Sequence, residues 1–330
     1  MRETPNPDKM NVGQVEFSRD GKRESRGYQL MALRRSEELV AMSQQLATAE
    51  WPWQPYHQFV VCDPKRRTIY AAPFRDRVVH HAIHQVIAPI IDALIPRNSW
   101  ACRQGMGSRG AAAALAIRLN ELGKNRYVVK LDVRSYFTSI DHSILYGMIN
   151  AALTDSSLNS LLASLLGSHP EYRRVGKGIP LGNLTSQLFA NYYLHAVDRL
   201  GLEHSAEVFY VRYMDDIVLA GRSKKAVLDL KDDIVTFAKD RLMLTIPIQK
   251  TVHLASDPVP FLGYLIDVDN YAVLGRTLKR HHTRLKRMQR TAARSSDIAK
   301  SEFSFAAFAS LDEALHKARA AHIVRGGDRS

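Results

Sequence analysis

Three aspartates form the pattern with the clearest chemical meaning in this sequence. Asp132 lies near the end of an apolar run that begins at Tyr127, and Asp215 and Asp216 lie between two β-rich runs about 80 residues further along. Because a sheet fixes the direction of a carboxylate at a strand end, neighbouring strands could hold two divalent ions about 3.5–4 Å apart, as phosphoryl transfer requires. Asp-Asp pairs are also common in solvated turns, so the acids alone leave both interpretations open.

The elements that must position these acids are predicted from turn chemistry and hydrophobic periodicity. The runs 208–212 and 217–220 predict a β-hairpin with the acid pair at its tip, and 127–133 predicts a buried strand. The other predicted strands are 59–62, 68–71 and 242–246, with a second hairpin over 261–266 and 272–274. Helical spacing of apolar residues predicts helices over 27–49, 76–95, 184–200, 224–242 and 276–294. The mixture indicates an α+β fold.

The charge balance favours a polyanionic partner. Lys and Arg total 46 against 33 acids, a formal net charge of +13, and nucleic acid is the simplest partner of that kind. Residues 1–26 are polar and predict an arm, without an apolar secretory segment. No apolar run reaches the ~20 residues of a membrane span, so we expect a cytoplasmic protein without membrane contact. Cys62 and Cys102 form no CxxC pair and are expected in the core.

The basic segment 276–294 is a second candidate for ligand chemistry. It contains eight Lys or Arg residues and no acid. A solvated helix normally carries both signs of charge, so this segment is predicted to contact phosphate. The nucleic-acid-binding candidates within it are Arg284, Arg287 and Arg290.

Around the three acids the sequence resembles reverse transcriptases. Tyr213-Met214-Asp215-Asp216 between hydrophobic strands resembles their YxDD hairpin, and the segment 130–137 resembles their first catalytic motif. The resemblance implies two Mg²⁺ ions, with Mn²⁺ as an alternative, at Asp132, Val133, Asp215 and Asp216. Asp132 and Asp215 are expected to bridge the ions, because the strand end and the first hairpin acid would face each other. Asp216 would then be the third carboxylate.

Further segments follow the order of motifs in that family. Phe137 matches the ring that leaves no space for a 2′-hydroxyl, with core packing as the alternative. The segment 178–187 resembles a glycine-containing turn that enters a helix, where free N–H groups meet phosphate. It implies substrate contacts by Leu181, Gly182 and Gln187. Lys250 matches a lysine near the triphosphate, a candidate acid for pyrophosphate departure. The resemblance also implies that Lys65 and Arg67 contact the substrate and that Tyr213 contacts nucleic acid. Arg103 would contact the template or have a structural role. The implied primer grip consists of Phe261, Leu262 and Gly263.

The resemblance also implies an architecture and an activity. It predicts an α+β right-hand polymerase with fingers over 27–125, a palm with an antiparallel sheet over 126–274 that includes some finger elements, and a short helical thumb over 275–330. The implied reaction is RNA-directed DNA synthesis from dNTPs, with an RNA template and a DNA or RNA primer. The remaining length leaves no room for a separate endonuclease, maturase or RNase H segment, so a full group II intron protein is not expected.

Two departures from the commoner motif indicate a subgroup. Many family members have Gln-Gly before the helix and Ser-Pro within it, whereas this sequence has Leu181-Gly182 and Ser186-Gln187. The leucine is similar to that of the enzymes of diversity-generating retroelements. For an enzyme of that group, the resemblance implies error-prone copying, a structured RNA and a small basic accessory protein. The alternative is a bacterial defence-associated or abortive-infection reverse transcriptase. A third hypothesis is a polymerase fold that binds RNA without catalysis, against which the three acids and Phe137 argue.

Overall fold

The structure, a computed structural model, describes residues 26–62, 66–247, 252–253, 258–291, 295–311 and 314–316. Its strands are β1 (His57–Cys62), β2 (Arg66–Ala71), β3 (Tyr127–Asp132), β4 (Val208–Tyr213), β5 (Asp216–Gly221), β6 (Val252–His253), β7 (Val259–Phe261), β8 (Tyr264–Ile266) and β9 (Tyr271–Val273). Its helices are α1 (Arg26–Leu33), α2 (Arg35–Ala47), α3 (Phe74–Leu94), α4 (Ser108–Leu122), α5 (Tyr136–Ser139), α6 (His142–Ala152), α7 (Ser156–Leu166), α8 (Pro170–Val175), α9 (Leu184–Tyr193), α10 (His195–Glu203), α11 (Lys224–Leu242), α12 (Gly275–Arg290) and α13 (Ser295–Ala309). Among the described residues, none of these helices is both long and apolar enough to cross a bilayer.

The chain forms two compact units, each drawn from separate segments. The first contains the segment up to Pro96 together with Arg134–Ala196 and Phe237–Thr245, and the second contains Arg97–Val133, Val197–Thr236 and the segment from Ile246 onward. The fingers, palm and thumb bounds expected from the sequence describe functional regions rather than these units, and they stay a prediction.

The first unit has a helical core beside a small β-hairpin. Helices α3 and α9 pack against each other. Helix α3 buries one apolar face, whereas α9 is buried on nearly all sides. The antiparallel pair β1–β2 stands out from this core, with Tyr70 opposite Gln58. The side chains of β1 are exposed along the whole strand, so the hairpin is held by its backbone ladder and its base.

The second unit contains the sheet that carries the acids. Its strand order is β4-β5-β3-β6, with every neighbouring pair antiparallel. Helix α4 packs on one face through Ala111, Leu115 and Leu119, which are fully buried. The same hydrophobic core includes Phe261 and Tyr264 from a second antiparallel sheet, β7-β8-β9. The catalytic strands and this second sheet therefore share one core.

Helices α12 and α13 complete the second unit. They pack against each other, and the ring of His281 stacks on Phe305 at 3.8 Å between centroids. Phe308 at the end of α13 stacks on Tyr264 of β8 at 4.6 Å. This pair attaches α13 to the β7-β8-β9 sheet.

Most predicted elements are confirmed, and the predicted helix over 184–200 is wrong in one respect. It is two helices, α9 and α10, which are interrupted at Leu194. The Nδ1–H group of His195 donates to the carbonyl of Tyr192 at 2.8 Å, which offers that oxygen a partner outside the helical ladder.

The strand predicted over 242–246 is also wrong. Leu242 ends α11, Met243 has a φ of 51°, and the N–H of Leu244 bonds back to the carbonyl of Ala238. These contacts close the helix, and residues 243–247 form no strand. The second predicted hairpin is a three-stranded sheet, with an additional turn at Leu262-Gly263.

The two cysteines differ from expectation as well. Cys62 and Cys102 are exposed rather than in the core. Cys62 lies at the end of β1, whose side chains are all exposed, and Cys102 has a φ of 52° within a loop. Neither position has the apolar surroundings that their residue type favours.

Candidate active site

The hairpin β4–β5 places the acid pair at the end of the main sheet. Tyr213 and Asp216 are cross-strand partners, so Met214 and Asp215 alone form the connecting loop. Met214 has a φ of 53°, a left-handed conformation that costs a residue with a side chain about 1–2 kcal/mol. Two-residue hairpins favour such conformations because they match the twist of the strands. The loop therefore presents Asp215 at the hairpin tip, at a cost in backbone strain.

The register of the sheet pairs the acids differently from expectation. Asp132, the last residue of β3, is directly opposite Asp216 rather than Asp215. The expectation that Asp132 and Asp215 face each other is therefore wrong, because the two-residue loop makes Asp216 the first residue of β5. Asp132 is exposed, and Asp215 and Asp216 are half-buried. The three acids are brought to one edge of the sheet, with Asp215 one residue beyond the cross-strand pair.

Lys130 is a functional residue that the sequence reasoning missed. Its Nζ lies 3.3 Å from a carboxylate oxygen of Asp216 and donates to the carbonyl of Pro260 at 3.2 Å. The same ammonium lies 6.0 Å from the ring centre of Phe261. A lysine in an otherwise apolar strand was the indication in the sequence. Lys130 joins one of the three acids to the strand that precedes the Leu262-Gly263 turn.

Arg212 and Asp198 form a second group that was missed. Both side chains are completely buried, and the guanidinium makes two hydrogen bonds to the carboxylate, at 2.6 and 2.5 Å. A third guanidinium nitrogen donates to the carbonyl of Met214 at 2.9 Å. An arginine inside an apolar strand could have indicated such a pair, but its partner lies on α10 and no local pattern identifies it.

The donor set fits hard divalent ions in its chemistry. Carboxylates are the ligands that Mg²⁺ prefers, and three of them end neighbouring strands of one sheet. The side chain of Val133 is buried, so only its backbone carbonyl could contribute. Within the described part of the chain, no three acid, histidine or cysteine side chains are gathered closely enough to enclose a metal ion.

The turn predicted as a primer grip connects β7 and β8. Leu262 and Gly263 both have positive φ, 49° and 94°, which is the pattern of a type I′ turn. A side chain at Gly263 would lie 2.9 Å from the ring of Phe308, so this turn lies against α13. Phe261 is fully buried, which leaves the half-buried Leu262 as the side chain able to meet a ligand.

The first unit brings together most of the predicted substrate-binding residues. The carbonyl of Leu181 accepts a hydrogen bond from the N–H of Tyr70 in β2, the strand that also carries the exposed Arg67. The N–H of Ile179 donates to the carbonyl of Phe137 at 2.8 Å. The segment 179–182 thus joins the backbone of Phe137 to the β1–β2 hairpin. The half-buried Gln187 lies one turn into α9.

Gly182 is required by its surroundings as well as by its conformation. Its φ is 123°, and a side chain would lie 2.8 Å from Cγ2 of Ile69 in β2. Only glycine adopts this backbone conformation without strain. The close approach of the turn to β2 therefore depends on the missing side chain.

A small cavity with a few polar groups in its lining lies behind this turn. It has a volume of about 10 Å³, enough for one water molecule, and its lining includes Tyr56, His80, Asn183 and Thr185. His80 bonds Thr185 through Nδ1 at 2.7 Å, while its Nε2 and the Nδ2 of Asn183 have no partner among the described residues. Burial lowers the pKa of His80 to about 3 and raises the pKa of Tyr56 to about 12. Both groups are therefore neutral at physiological pH.

The remaining candidates lie in the second unit or outside the described residues. Arg103 is half-buried and donates to the carbonyl of Ser99 at 3.0 Å, so it supports its own loop. On α12 the three arginine candidates are exposed: Arg284, Arg287 and Arg290. Lys65 and Lys250 lie outside the described residues.

Comparison with known proteins places this geometry in context. The family described as "Reverse transcriptase (RNA-dependent DNA polymerase)" matches residues 63–266, more than half of the chain. The group II intron-encoded protein LtrA of Lactococcus lactis subsp. cremoris is 23% identical over 313 residues, covering 74% of this chain and 52% of that protein. Protein YkfC of Escherichia coli (strain K12) is 23% identical over 239 residues, covering 61% and 63%. The chain thus spans about half the length of LtrA.

The solved structures to which this one is similar include an apo telomerase from Candida tropicalis. The TM-score is 0.54 at 13% identity, and the match covers 70% of this chain and 50% of that one. A form of that telomerase truncated from its C-terminal domain gives 0.50 at 14% identity, covering 66% and 55%. At these identities the likeness concerns the fold. With the antiparallel sheets it confirms the right-hand polymerase fold of mixed helix and sheet.

Proposed function

This chain belongs to the reverse transcriptase family, and we propose that it synthesises DNA on an RNA template. The observation that carries the proposal is the strand register, which sets Asp132 opposite Asp216 with Asp215 in the adjoining loop. The family match covers all three acids. A sheet that ends in three carboxylates provides the charge that in-line nucleotidyl transfer requires.

The acids would hold two Mg²⁺ ions, with the carbonyl of Val133 as a further ligand and Mn²⁺ as an alternative ion. Bound in this way, the ions supply activation of the primer 3′-hydroxyl and stabilisation of the leaving pyrophosphate. Phe137 would exclude a ribose 2′-hydroxyl by bulk, and Leu181 and Gly182 would contact the nucleotide. Lys250 would donate a proton to the pyrophosphate, and Lys65 and Arg67 would contact the triphosphate.

The test is template-primed incorporation of dNTPs by the whole chain. Asp132→Asn and Asp215→Asn should each lower kcat by at least about a thousandfold, since each removes a charge that acts in the transition state. The matched control is Asp229→Asn, an exposed acid on α11 that is paired with Lys225, which should keep wild-type activity. Equal incorporation by the wild type and both site variants would defeat the proposal.

Sugar selection gives a second test of the same site. Phe137→Val should increase incorporation of ribonucleotides relative to deoxynucleotides, because it removes the ring that would meet the 2′-hydroxyl. The expected change in the ratio of kcat/KM values is about tenfold or more. If the ratio is unchanged, Phe137 is a packing residue, which its half-buried position also permits.

For the biological role, we propose error-prone cDNA synthesis for a diversity-generating retroelement. Leu181 supports it, since an apolar side chain in this position removes a polar contact that could hold the nucleotide in register. Leu181→Gln should lower misincorporation opposite template adenine, with the exposed Leu202→Gln on α10 as control. An unchanged error spectrum would favour the alternative, a bacterial defence-associated or abortive-infection reverse transcriptase, for which Ser186-Gln187 is the supporting feature.

The proposed partners are an RNA template, a DNA or RNA primer, a structured RNA and a small basic accessory protein. For nucleic acid the support is α12, which exposes all three of its arginine candidates. Reversing Arg284, Arg287 and Arg290 to Glu should weaken template–primer binding and flatten its salt dependence by about 0.7–0.9 per lost phosphate contact. A triple reversal of equal charge on exposed sites of α11 is the control: Lys224, Lys239 and Arg241. Equal salt slopes in both triple variants would refute the α12 contact.

A further inference from the structure

A completely buried ion pair lies directly behind the loop that carries Asp215. Arg212, in β4, donates through Nε and one terminal nitrogen to the two carboxylate oxygens of Asp198, at 2.6 and 2.5 Å. Tyr210 donates to the same carboxylate at 2.9 Å, and Asn98 donates to the backbone carbonyl of Asp198 at 3.1 Å. The carboxylate is thus held from two residues of the same strand.

The backbone of Arg212 is held as firmly as its side chain. Its N–H donates to the carbonyl of Asn98 and its carbonyl accepts from the N–H of Trp100, both at 2.9 Å. These bonds form an isolated parallel bridge between Arg212 in β4 and Ser99, which lies in no strand. Arginine at this position therefore has a fixed backbone and a guanidinium with a single orientation.

Stability alone does not account for such a pair. Removing two charges from water is costly, and replacement of a buried pair by apolar residues of similar volume is often neutral or stabilising. A pair of this kind needs another contribution to explain its presence. The remaining terminal nitrogen of Arg212 provides one, because it donates to the carbonyl of Met214 at 2.9 Å.

The loop that receives this bond is one that needs support. Met214 has a φ of 53°, and strained residues persist only where their surroundings hold them. Met214 and Asp215 are the whole connection between β4 and β5, and the Met214 carbonyl belongs to the peptide group that joins these two residues, so a bond to this carbonyl orients that peptide group. That peptide group carries Asp215.

We propose that Arg212, oriented by Asp198, is a positioning residue that fixes the Met214–Asp215 loop for metal binding and catalysis. The proposal rests on the proposed polymerase function, which supplies the role of Asp215. Arg212 does not contact substrate; it acts through the Met214 carbonyl. Asp198 in turn sets the plane of the guanidinium so that one nitrogen points at that carbonyl.

Two variants separate this role from folding. Arg212→Lys keeps a positive charge for Asp198 but cannot make both the paired contact and the bond to Met214. Asp198→Leu with Arg212→Met removes both charges, a change that buried pairs often tolerate, and also removes the bond. In both, kcat for template-primed dNTP incorporation should fall about 10–100-fold, because the loop loses its orientation. The half-saturating Mg²⁺ concentration should rise, while the KM for dNTP and the Kd for template–primer stay within about twofold.

The matched control is Tyr210→Phe, which removes a hydrogen bond from the same carboxylate and leaves the Met214 bond intact. It should reduce thermal stability while kcat and the Mg²⁺ requirement remain at wild-type values. The proposal is overturned if the folded double variant polymerises at the wild-type rate. It is equally overturned if Tyr210→Phe raises the Mg²⁺ requirement as much as Arg212→Lys does, since the network would then act through stability.

A metal-binding measurement keeps this proposal separate from the proposed function. Mn²⁺ binding to the whole chain, followed by electron paramagnetic resonance, needs no polymerisation. The double variant should bind Mn²⁺ about tenfold more weakly than the wild type if the loop is misoriented, and equal affinities would overturn the positioning role. Absence of dNTP incorporation by the wild type, with Mn²⁺ binding lost only in the Arg212 variants, would overturn the polymerase proposal and leave the positioning role in place.

Discussion

Replacing Lys130 by methionine should lower the Mg²⁺ concentration that polymerisation requires. The ammonium of Lys130 lies 3.3 Å from the carboxylate of Asp216, so it neutralises one of the three acids proposed to hold the ions. A divalent ion must compete with that charge. Methionine keeps most of the length of the side chain and removes both the competing charge and the bond to the Pro260 carbonyl.

The magnitude follows from the separation and the exposure of the pair. At 3.3 Å, Coulomb attraction is about 1.3 kcal/mol in water and about 5 kcal/mol at an effective dielectric constant of 20. The Lys130 and Asp216 side chains are 23% and 34% exposed, so solvent screens the pair towards the lower value. About 1 kcal/mol is a reasonable figure for such a pair. Each 1.4 kcal/mol is tenfold in a binding constant, so the half-saturating Mg²⁺ concentration should fall about fivefold.

The assay is primer extension at saturating dNTP and template–primer, with Mg²⁺ varied for each variant. Lys225→Met is the control, since Lys225 also pairs with an aspartate, at 2.6 Å, but on the exposed surface of α11. The control should keep the wild-type Mg²⁺ dependence. An unchanged or higher half-saturating concentration for Lys130→Met would refute the reasoning, because it would mean that Lys130 does not compete with the ions at Asp216.

Three further changes test the architecture around the site. Gly182→Ala should lower the free energy of unfolding by about 2 kcal/mol and raise the KM for dNTP, because the new methyl group would push on β2. The control is Gly147→Ala, a site with open space around it. This control should raise the free energy of unfolding by up to about 1 kcal/mol through helix propensity. Because burial lowers the pKa of His80 from 6.5 to about 3, the folded state favours the neutral ring. The stability that this contributes is present above pH 6.5 and is lost as pH falls towards 3, by up to about 1.4 kcal/mol per pH unit. In chemical denaturation at graded pH, His80→Gln should reduce the slope of unfolding free energy against pH in this range by the amount that one proton contributes. Phe308→Ala should destabilise the second unit by about 2–3 kcal/mol through loss of its stack on Tyr264, measured by thermal unfolding.

Local chemistry was sufficient to predict the central hairpin. Residues 208–212 and 217–220 are apolar runs rich in β-branched and aromatic residues, and the acids between them match a turn. The strands β4 and β5 and their loop therefore follow from neighbours in the chain. The buried strand β3 is equally legible, because its apolar run is continuous except for Lys130. Where a local contact competes with periodicity, the prediction failed: the His195 ring ended α9, and the return of Leu244 to Ala238 replaced a strand.

The backbone conformation of two turns could not be predicted from residue type. Leu262 and Met214 both have positive φ, yet neither residue type favours it, so the backbone conformation of these two turns was not predicted. Positive φ at such residues is maintained by side-chain contacts that residue type does not reveal. For Met214 the contact is the guanidinium of Arg212, and for the turn at Leu262-Gly263 it is the packing of Phe308 against the glycine.

The sequence by itself determined the types of residue at the site: three carboxylates, a bulky ring after the first of them, and a leucine before a required glycine. It also determined that these residues follow the motif order of one family. Only the tertiary structure decided that Asp132 is opposite Asp216, since strand register depends on the length of the loop as folded. The partners of Lys130 and Arg212 became visible only in the tertiary structure. Charge pairs across a sheet, or between a strand and a helix, follow no regular spacing of residues along the chain.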